Sequence, residues 1–237
     1  MRLHLLEHDP TDYSNTNLTI WAERKGHQIT QTYVCNNEKI PSVDDFDWLM
    51  VMGGSPSIWE EKLNPWLSQE KDFIAETLDN RKVIFGVCFG AQLLAEALGG
   101  KVFPNDQEEI GWYEVTLTPE GQNSFLFKNI PKRFMTFHWH SDHFSLPPGC
   151  TRLASNSPTA NQAFISEKYP IAGVQFHPEY THEMVRYFAH EEGDKWKKDH
   201  FVAGKEAVLA QTEQIPDTYW LMNALLDNME QEFGSNP

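Results

Sequence analysis

In Gly86-Val87-Cys88-Phe89-Gly90 a single thiol sits between glycines, at the end of an apolar run that starts at Val83. A strand that ends there and turns sharply into a helix pushes side chain 88 out of the sheet, and glycine on either side removes the Cβ atoms that would clash. The helix that begins at Phe89 points free N–H groups and the positive end of its dipole at the sulfur, which favours thiolate over thiol. Gln92, about one turn further on, sets its amide on the same side. A nucleophilic thiol needs a base that also returns a proton to a leaving group, and His177 of Gln175-Phe176-His177-Pro178-Glu179 is the candidate. Pro178 biases His177 toward an extended backbone, where residues 177 and 179 project to one side; Glu179 can then hold one ring nitrogen while the other faces the sulfur. Gly53-Gly54-Ser55-Pro56 follows another apolar run, and a backbone N–H there, with that of Phe89, could bind a developing oxyanion. Each motif also has a bland reading: an ordinary buried cysteine, a solvated turn, a Gly-rich loop.

These groups are useful only if secondary structure brings them together. Arg2–Leu6, Gln28–Val34, Asp47–Met52 and Lys82–Val87 read as strands, and Asn17–Lys25, Pro65–Leu78 and Phe89–Leu98 as helices. That alternation predicts an α/β fold with an open, mostly parallel central sheet and helices on both faces. The glycine pair and Cys88 then share its carboxyl edge. Further on, Trp112–Thr118, Arg133–Phe137, Thr151–Ala154, Gln162–Ile165 and Ile171–Gln175 read as strands of an antiparallel extension. A helix over Thr181–Glu192 takes Thr181 as its cap. A last helix over Asp217–Phe233 carries Trp220, Leu221, Leu225 and Met229 at helical spacing, a pattern of packing or of a homodimer contact. The expected division is one α/β domain over residues 1–192 and a C-terminal helical extension over 193–237, packed on the same domain.

Composition narrows the function. A formal charge of −15, from 19 basic and 34 acidic residues, repels phosphate backbones and anionic lipid, so neither nucleic acid nor membrane is an expected partner. Cys35, Cys88 and Cys150 form neither a disulfide framework nor a CxxC pair. The start, MRLHLLEHDP, lacks a signal-peptide core, and no apolar run approaches the roughly 18–20 residues of a membrane span, so a soluble cytoplasmic protein is expected. The stretch Phe137-His138-Trp139-His140-Ser141-Asp142-His143 invites a zinc reading. Alternation puts 138, 140 and 142 on one side and 143 on the other, with no HExxH nearby, and neither metal nor cofactor is expected. Glu108-Glu109 and Glu191-Glu192 read as solvated faces.

Taken together, Gly86 through Gln92, the His177-Pro178-Glu179 triplet and the Gly53-Gly54 pair resemble the class I, triad-type glutamine amidotransferases over about residues 45–190. The family's oxyanion loop is GGP-like; here the proline comes one place late. The resemblance implies a flavodoxin-like α/β fold and a reaction in which Cys88 attacks the γ-amide carbon of glutamine to form a γ-glutamyl thioester. His177 would protonate the departing ammonia, Glu179 would orient His177, and water would release glutamate. Trp139-His140-Ser141 takes the place of the family's Y-H-S-like stretch that holds the amino-acid end of the substrate, with Gln92 as a side-chain contact. Asp142-His143 extend it in the manner of the glutaminase part of GMP synthetase. In the family the ammonia passes to a synthetase, and no fused one is visible, which implies a free-standing domain with or without such a partner. Two other readings stand beside it: a γ-glutamyl peptide hydrolase with the same triad, and a binding protein on this fold without turnover.

Overall fold

The computed structural model describes residues 1–9 and 15–234. Its nine-stranded sheet is built from β1 (Arg2–Glu7), β2 (Gln28–Tyr33), β3 (Trp48–Val51), β4 (Val83–Val87), β5 (Val102–Leu117), β6 (Arg133–Phe144), β7 (Cys150–Ser155), β8 (Ala163–Ser166) and β9 (Ile171–Val174), in the order β2-β1-β3-β4-β9-β8-β7-β5-β6. From β2 to β9 the pairs are parallel; from β9 to β6 they are antiparallel. This is the parallel α/β sheet with an antiparallel extension that the sequence predicts.

Central strands covered on both faces need apolar side chains at every position, and β3 and β4 are buried along their whole length. Alternate residues feed two cores. Leu3, Leu5, Met50 and Phe85 meet α1 (Asn17–Lys25) and α7 (Tyr219–Phe233) on one face. Leu49, Val51 and Ile84 meet α2 (Trp66–Asp79) and α3 (Phe89–Ala97) on the other. In α7 the buried stripe is Leu221, Met222, Leu225, Leu226 and Met229, all at 0% exposure, whereas Trp220 lies off it at 39%. Among the described residues no helix is long and apolar enough to cross a membrane. The last residues of the expected C-terminal extension, 235–237, lie outside the described ones.

Two elements are longer than their sequence pattern suggests. The strands expected at Trp112–Thr118 and Arg133–Phe137 are the ends of a β5–β6 ribbon that runs on to Val102 and Phe144, with an irregularity between Pro104 and Glu109. Its polar residues, His138, His140 and Asp142, are themselves buried, so polarity hides the strand. Two short helices, α4 (Pro119–Asn123) and α6 (Lys205–Thr212), give little apolar periodicity; in α6 only Val208 and Thr212 are buried. Between α3 and α6, α5 (His182–Glu191) is capped by the Thr181 side chain, as expected.

The register decides where the chemistry sits. Val51 pairs with Gly86, and Val87 with Val174, so the segments after β3, β4 and β9 leave the sheet side by side at its carboxyl edge.

Candidate active site

Cys88 caps α3 with φ 51° and ψ −107°, a left-handed backbone that a side-chain-bearing residue adopts only under constraint. The constraint is visible. Its N–H donates to the Val174 carbonyl at 2.8 Å, and the N–H of Gly90 donates to the Met52 carbonyl at 3.1 Å. A Cβ at Gly90 would overlap the Val51 carbonyl, and one at Gly86 would stand 2.8 Å from the Ala91 nitrogen. The two glycines let α3 start hard against β3 and β4, and that close start turns the thiol toward the cleft.

The histidine segment is pinned from several sides. The His177 N–H donates to the Phe137 carbonyl at 2.9 Å. Asn17, at the start of α1, gives its backbone N–H to the Glu179 carbonyl at 2.8 Å and its side-chain amide to the Pro178, Tyr180 and Thr218 oxygens. His177 Nδ1 lies 2.7 Å from Glu179 Oε1, both side chains 3% exposed, and the ring stacks on Tyr180 at 4.3 Å. Burial opposes a charge on this imidazole, but the Glu179 carboxylate and the Cys88 sulfur outweigh it and push its pKa up to about 10. Nε2 is buried without a well-aligned hydrogen-bond partner. An imidazole whose protonated form is favoured by two acidic neighbours, with one nitrogen uncommitted, suits a general base and acid.

Across the cleft lies the glycine pair. A Cβ on Gly53 would meet the His177 ring at 3.0 Å and the Cys88 Cβ at 3.8 Å, so this backbone borders both reacting groups. The Gly53 carbonyl is held by His8 Nδ1 at 3.0 Å, and His8 Nε2 pairs with Glu70 Oε1 at 2.8 Å in complete burial. Burial disfavours a charged His8, yet Glu70 and the Gly53 carbonyl raise its pKa above the ordinary value. Because carbonyl and N–H of one trans peptide point opposite ways, holding Gly53 O fixes the direction of the Gly54 N–H. Phe89 is the first residue of α3, where the N–H has no intrahelical partner.

The third wall is β6. Trp139, His140, Ser141 and Asp142 line a cleft of about 470 Å³ with Cys88, His177 and Gln92 among the other lining residues. The Trp139 carbonyl is 3.7 Å from the sulfur, and its indole packs on Phe188 and Trp196. Glu109 corrects the expectation of a solvated face: it is 0% exposed, directly opposite His140 in the ribbon. Its carboxylate accepts from Asn156 and from Gln162 at 3.0 Å and pairs with His140 Nε2 at 3.0 Å. Burial works against that charge, but His140, His138 and Thr159 draw the carboxyl pKa down to about 2. The ligand-type atoms of Glu109, His138 and His140 lie within 4.8 Å of one another, a spacing a metal ion could bridge. Both Glu109 oxygens already carry protein donors, however, so the group is better matched to an anchored carboxylate.

Comparison with known proteins now adds kinship to geometry. The sequence model of the family Glutamine amidotransferase class-I matches residues 13–189. The chain belongs to this family. The glutamine amidotransferase-like protein YfeJ of Salmonella typhimurium is 33% identical over 189 residues, 78% of each chain. One subunit of the glutamine-hydrolyzing GMP synthase of Pyrococcus abyssi is 35% identical over 123 residues, covering 49% of this chain and 64% of its own. The crystal structure of a glutamine amidotransferase from Thermotoga maritima superposes with a TM-score of 0.83 at 27% identity, over 97% of both chains.

Within this class I amidotransferase, the sequence-predicted Cys88, His177, Gly54, Phe89, Trp139, His140 and Ser141 line one cleft, with Gly53 bordering His177 and Cys88 and Glu179 behind the His177 ring. Gln92 also lines the cleft, but its amide nitrogen is engaged within the protein, 3.2 Å from the Asp142 carbonyl and 3.3 Å from Gln175 Oε1. Sequence reasoning passed over the roles of His8, Asn17, Glu70 and Gln175. A histidine straight after the buried strand β1, at the same sheet edge as the thiol, was the one local signal that could have found His8.

Proposed function

We propose that this amidotransferase domain hydrolyses the γ-amide of glutamine through a cysteinyl thioester. The observation that carries the reading is His177 paired with the Glu179 carboxylate beside Cys88, both ring and thiol bordering Gly53. In this scheme the Cys88 thiolate attacks the γ-carbonyl carbon, and the oxygen that becomes negative takes the N–H groups of Gly54 and Phe89. The imidazolium of His177 gives its proton to the amide nitrogen as the C–N bond breaks and ammonia leaves. Neutral His177 then takes a proton from water, hydroxide adds to the thioester, and glutamate departs as the thiolate reforms. Glu179 stays ionised and holds the ring. The backbone of Trp139-His140-Ser141 and the Gln92 side chain receive the amino-acid end.

The GMP synthase relatives favour a separate ammonia-accepting synthetase as partner, and the reducing interior expected from the unpaired cysteines favours the cytoplasm. The cleft runs outward past the sulfur to Glu108, Tyr187 and Glu191, which leaves room for a γ-glutamyl amide larger than glutamine as the alternative substrate. The test is glutamate release from glutamine and from γ-glutamyl dipeptides by the wild type and by Cys88→Ala, with an electrophilic glutamine analogue as covalent probe. The reading expects an adduct on Cys88 and no turnover by Cys88→Ala. Turnover by that variant, or adducts confined to Cys35 and Cys150, would sink it. Glutamine refused and dipeptides cleaved would select the alternative.

A further inference from the structure

The sulfur of Cys88 sits between two groups that make opposite demands. The Trp139 carbonyl, at 3.7 Å, can only accept, and so suits a thiol proton. The Gln175 side-chain nitrogen, at 3.5 Å, can only donate, and so suits a sulfur lone pair. Which end of an amide faces a neighbour is set by its other contacts. Here those contacts leave no freedom. The Asp142 backbone carbonyl can only accept, and two groups reach it: Gln92 Nε2 at 3.2 Å and His140 Nδ1 at 3.0 Å. Gln92 must therefore turn its NH₂ inward, and the same NH₂ reaches Gln175 Oε1 at 3.3 Å. With its oxygen taken, Gln175 has its NH₂ left for the sulfur. Gln92, His140 and Gln175 are 3%, 5% and 0% exposed, so water does not compete for these groups.

We infer that Gln175 stabilises the thiolate of Cys88 through an N–H···S hydrogen bond whose direction is dictated by the Asp142 carbonyl by way of Gln92. The inference rests on the reading of Cys88 as nucleophile and adds a donor to the imidazole already assigned. A hydrogen bond to an ionised partner is stronger than one to a neutral partner, so the bond tightens as the proton leaves sulfur. It weakens when the sulfur electron pair is committed to the thioester C–S bond, and returns as the thiolate departs on hydrolysis. Gln175 thus assists both the attack and the release.

Other titratable groups line or back the same cleft: His177 with Glu179 behind it, Asp142 and His140 from β6, and Asp9 from the segment after β1. Further out stand Glu108, Glu191 and Glu192. All of them stay in place when only residue 175 changes. The experiment is alkylation by iodoacetamide, which forms a C–S bond with loss of iodide and of the thiol proton, followed at the Cys88 peptide by mass spectrometry across pH. Gln175→Met keeps bulk and removes the donor; alkylation at pH 7 should slow about tenfold and the profile should move to higher pH. Gln175→Glu keeps the acceptor for Gln92 but turns a carboxylate oxygen to the sulfur, and should slow alkylation at least as much. An unchanged rate and profile in Gln175→Met, with native circular dichroism, would overturn the inference. Should that variant not fold, an unchanged or faster rate in Gln175→Glu does the same. No glutaminase turnover is needed for this readout, so its failure is separable from failure of the proposed function.

Discussion

Replacing His8 with leucine isolates the support beneath the glycine pair. The His8–Glu70 pair is 0% exposed at both side chains. Removing one partner of such a pair strands the other in a medium that cannot solvate it, and costs about 3–5 kcal/mol. The lost bond to the Gly53 carbonyl adds about 1 kcal/mol. Against a typical total of about 5–15 kcal/mol, His8→Leu should be among the most damaging substitutions that leave the reacting groups intact. The double variant His8→Leu/Glu70→Leu should recover most of the loss, because no unpaired carboxylate stays behind. Urea unfolding of the wild type, both singles and the double gives the cycle. The pH dependence has a definite sign. The folded pKa of His8 lies above its ordinary 6.5, so the stabilisation is complete below that value and fades as pH rises through the folded pKa. The penalty of His8→Leu should therefore shrink in alkali. In turnover the double variant, folded but with an unheld Gly53 carbonyl, should lose about tenfold in kcat with KM little changed, since a loosened donor acts on the transition state. A single-variant cost below about 1 kcal/mol, or a double variant worse than the sum of the singles, would refute the reasoning.

Gly90→Ala forces a methyl onto the Val51 carbonyl and should cost about 3 kcal/mol or prevent folding, measured by urea midpoint; a neutral result would mean α3 can shift freely. The imidazole of His177, with its pKa near 10, contributes stability that is whole below about 6.5 and lost as pH rises through about 10. The alkaline decline in Tm should therefore be shallower in Cys88→Ala, which lacks one cause of the shift. Glu109, drawn down to about 2, stabilises the fold above about 4.5 and ceases to as pH falls toward 2, so Glu109→Gln should be less stable at pH 7 and less acid-sensitive in its remaining stability. Glu179→Gln should keep part of the glutamate release, because the base survives when its orienting charge is gone.

The positions proposed to be catalytic were legible because each lies at a place where chain direction changes: a cysteine at a glycine-flanked turn, a histidine fixed by the next proline, a glycine pair after a strand. What supports them was not, because support comes from residues far away in sequence. Asn17 and Pro178 meet across 161 positions, and Gln92 and Gln175 across 83. Glu109 was misread for a related reason. One acidic residue in Glu108-Glu109 faces solvent and the other the interior, and composition does not say which until a partner strand supplies His140 opposite. The extent of β6 was hidden because its inward side chains Thr136, His138, His140 and Asp142 are polar yet buried.

The amide of Asn17 touches the start of α7 through Thr218 as well as the backbone around His177. The start of α1 and the cap of α7 thereby share custody of one imidazole. Packing of α7 is therefore coupled to the seating of His177, so loosening that helix should be felt at an imidazole it does not touch.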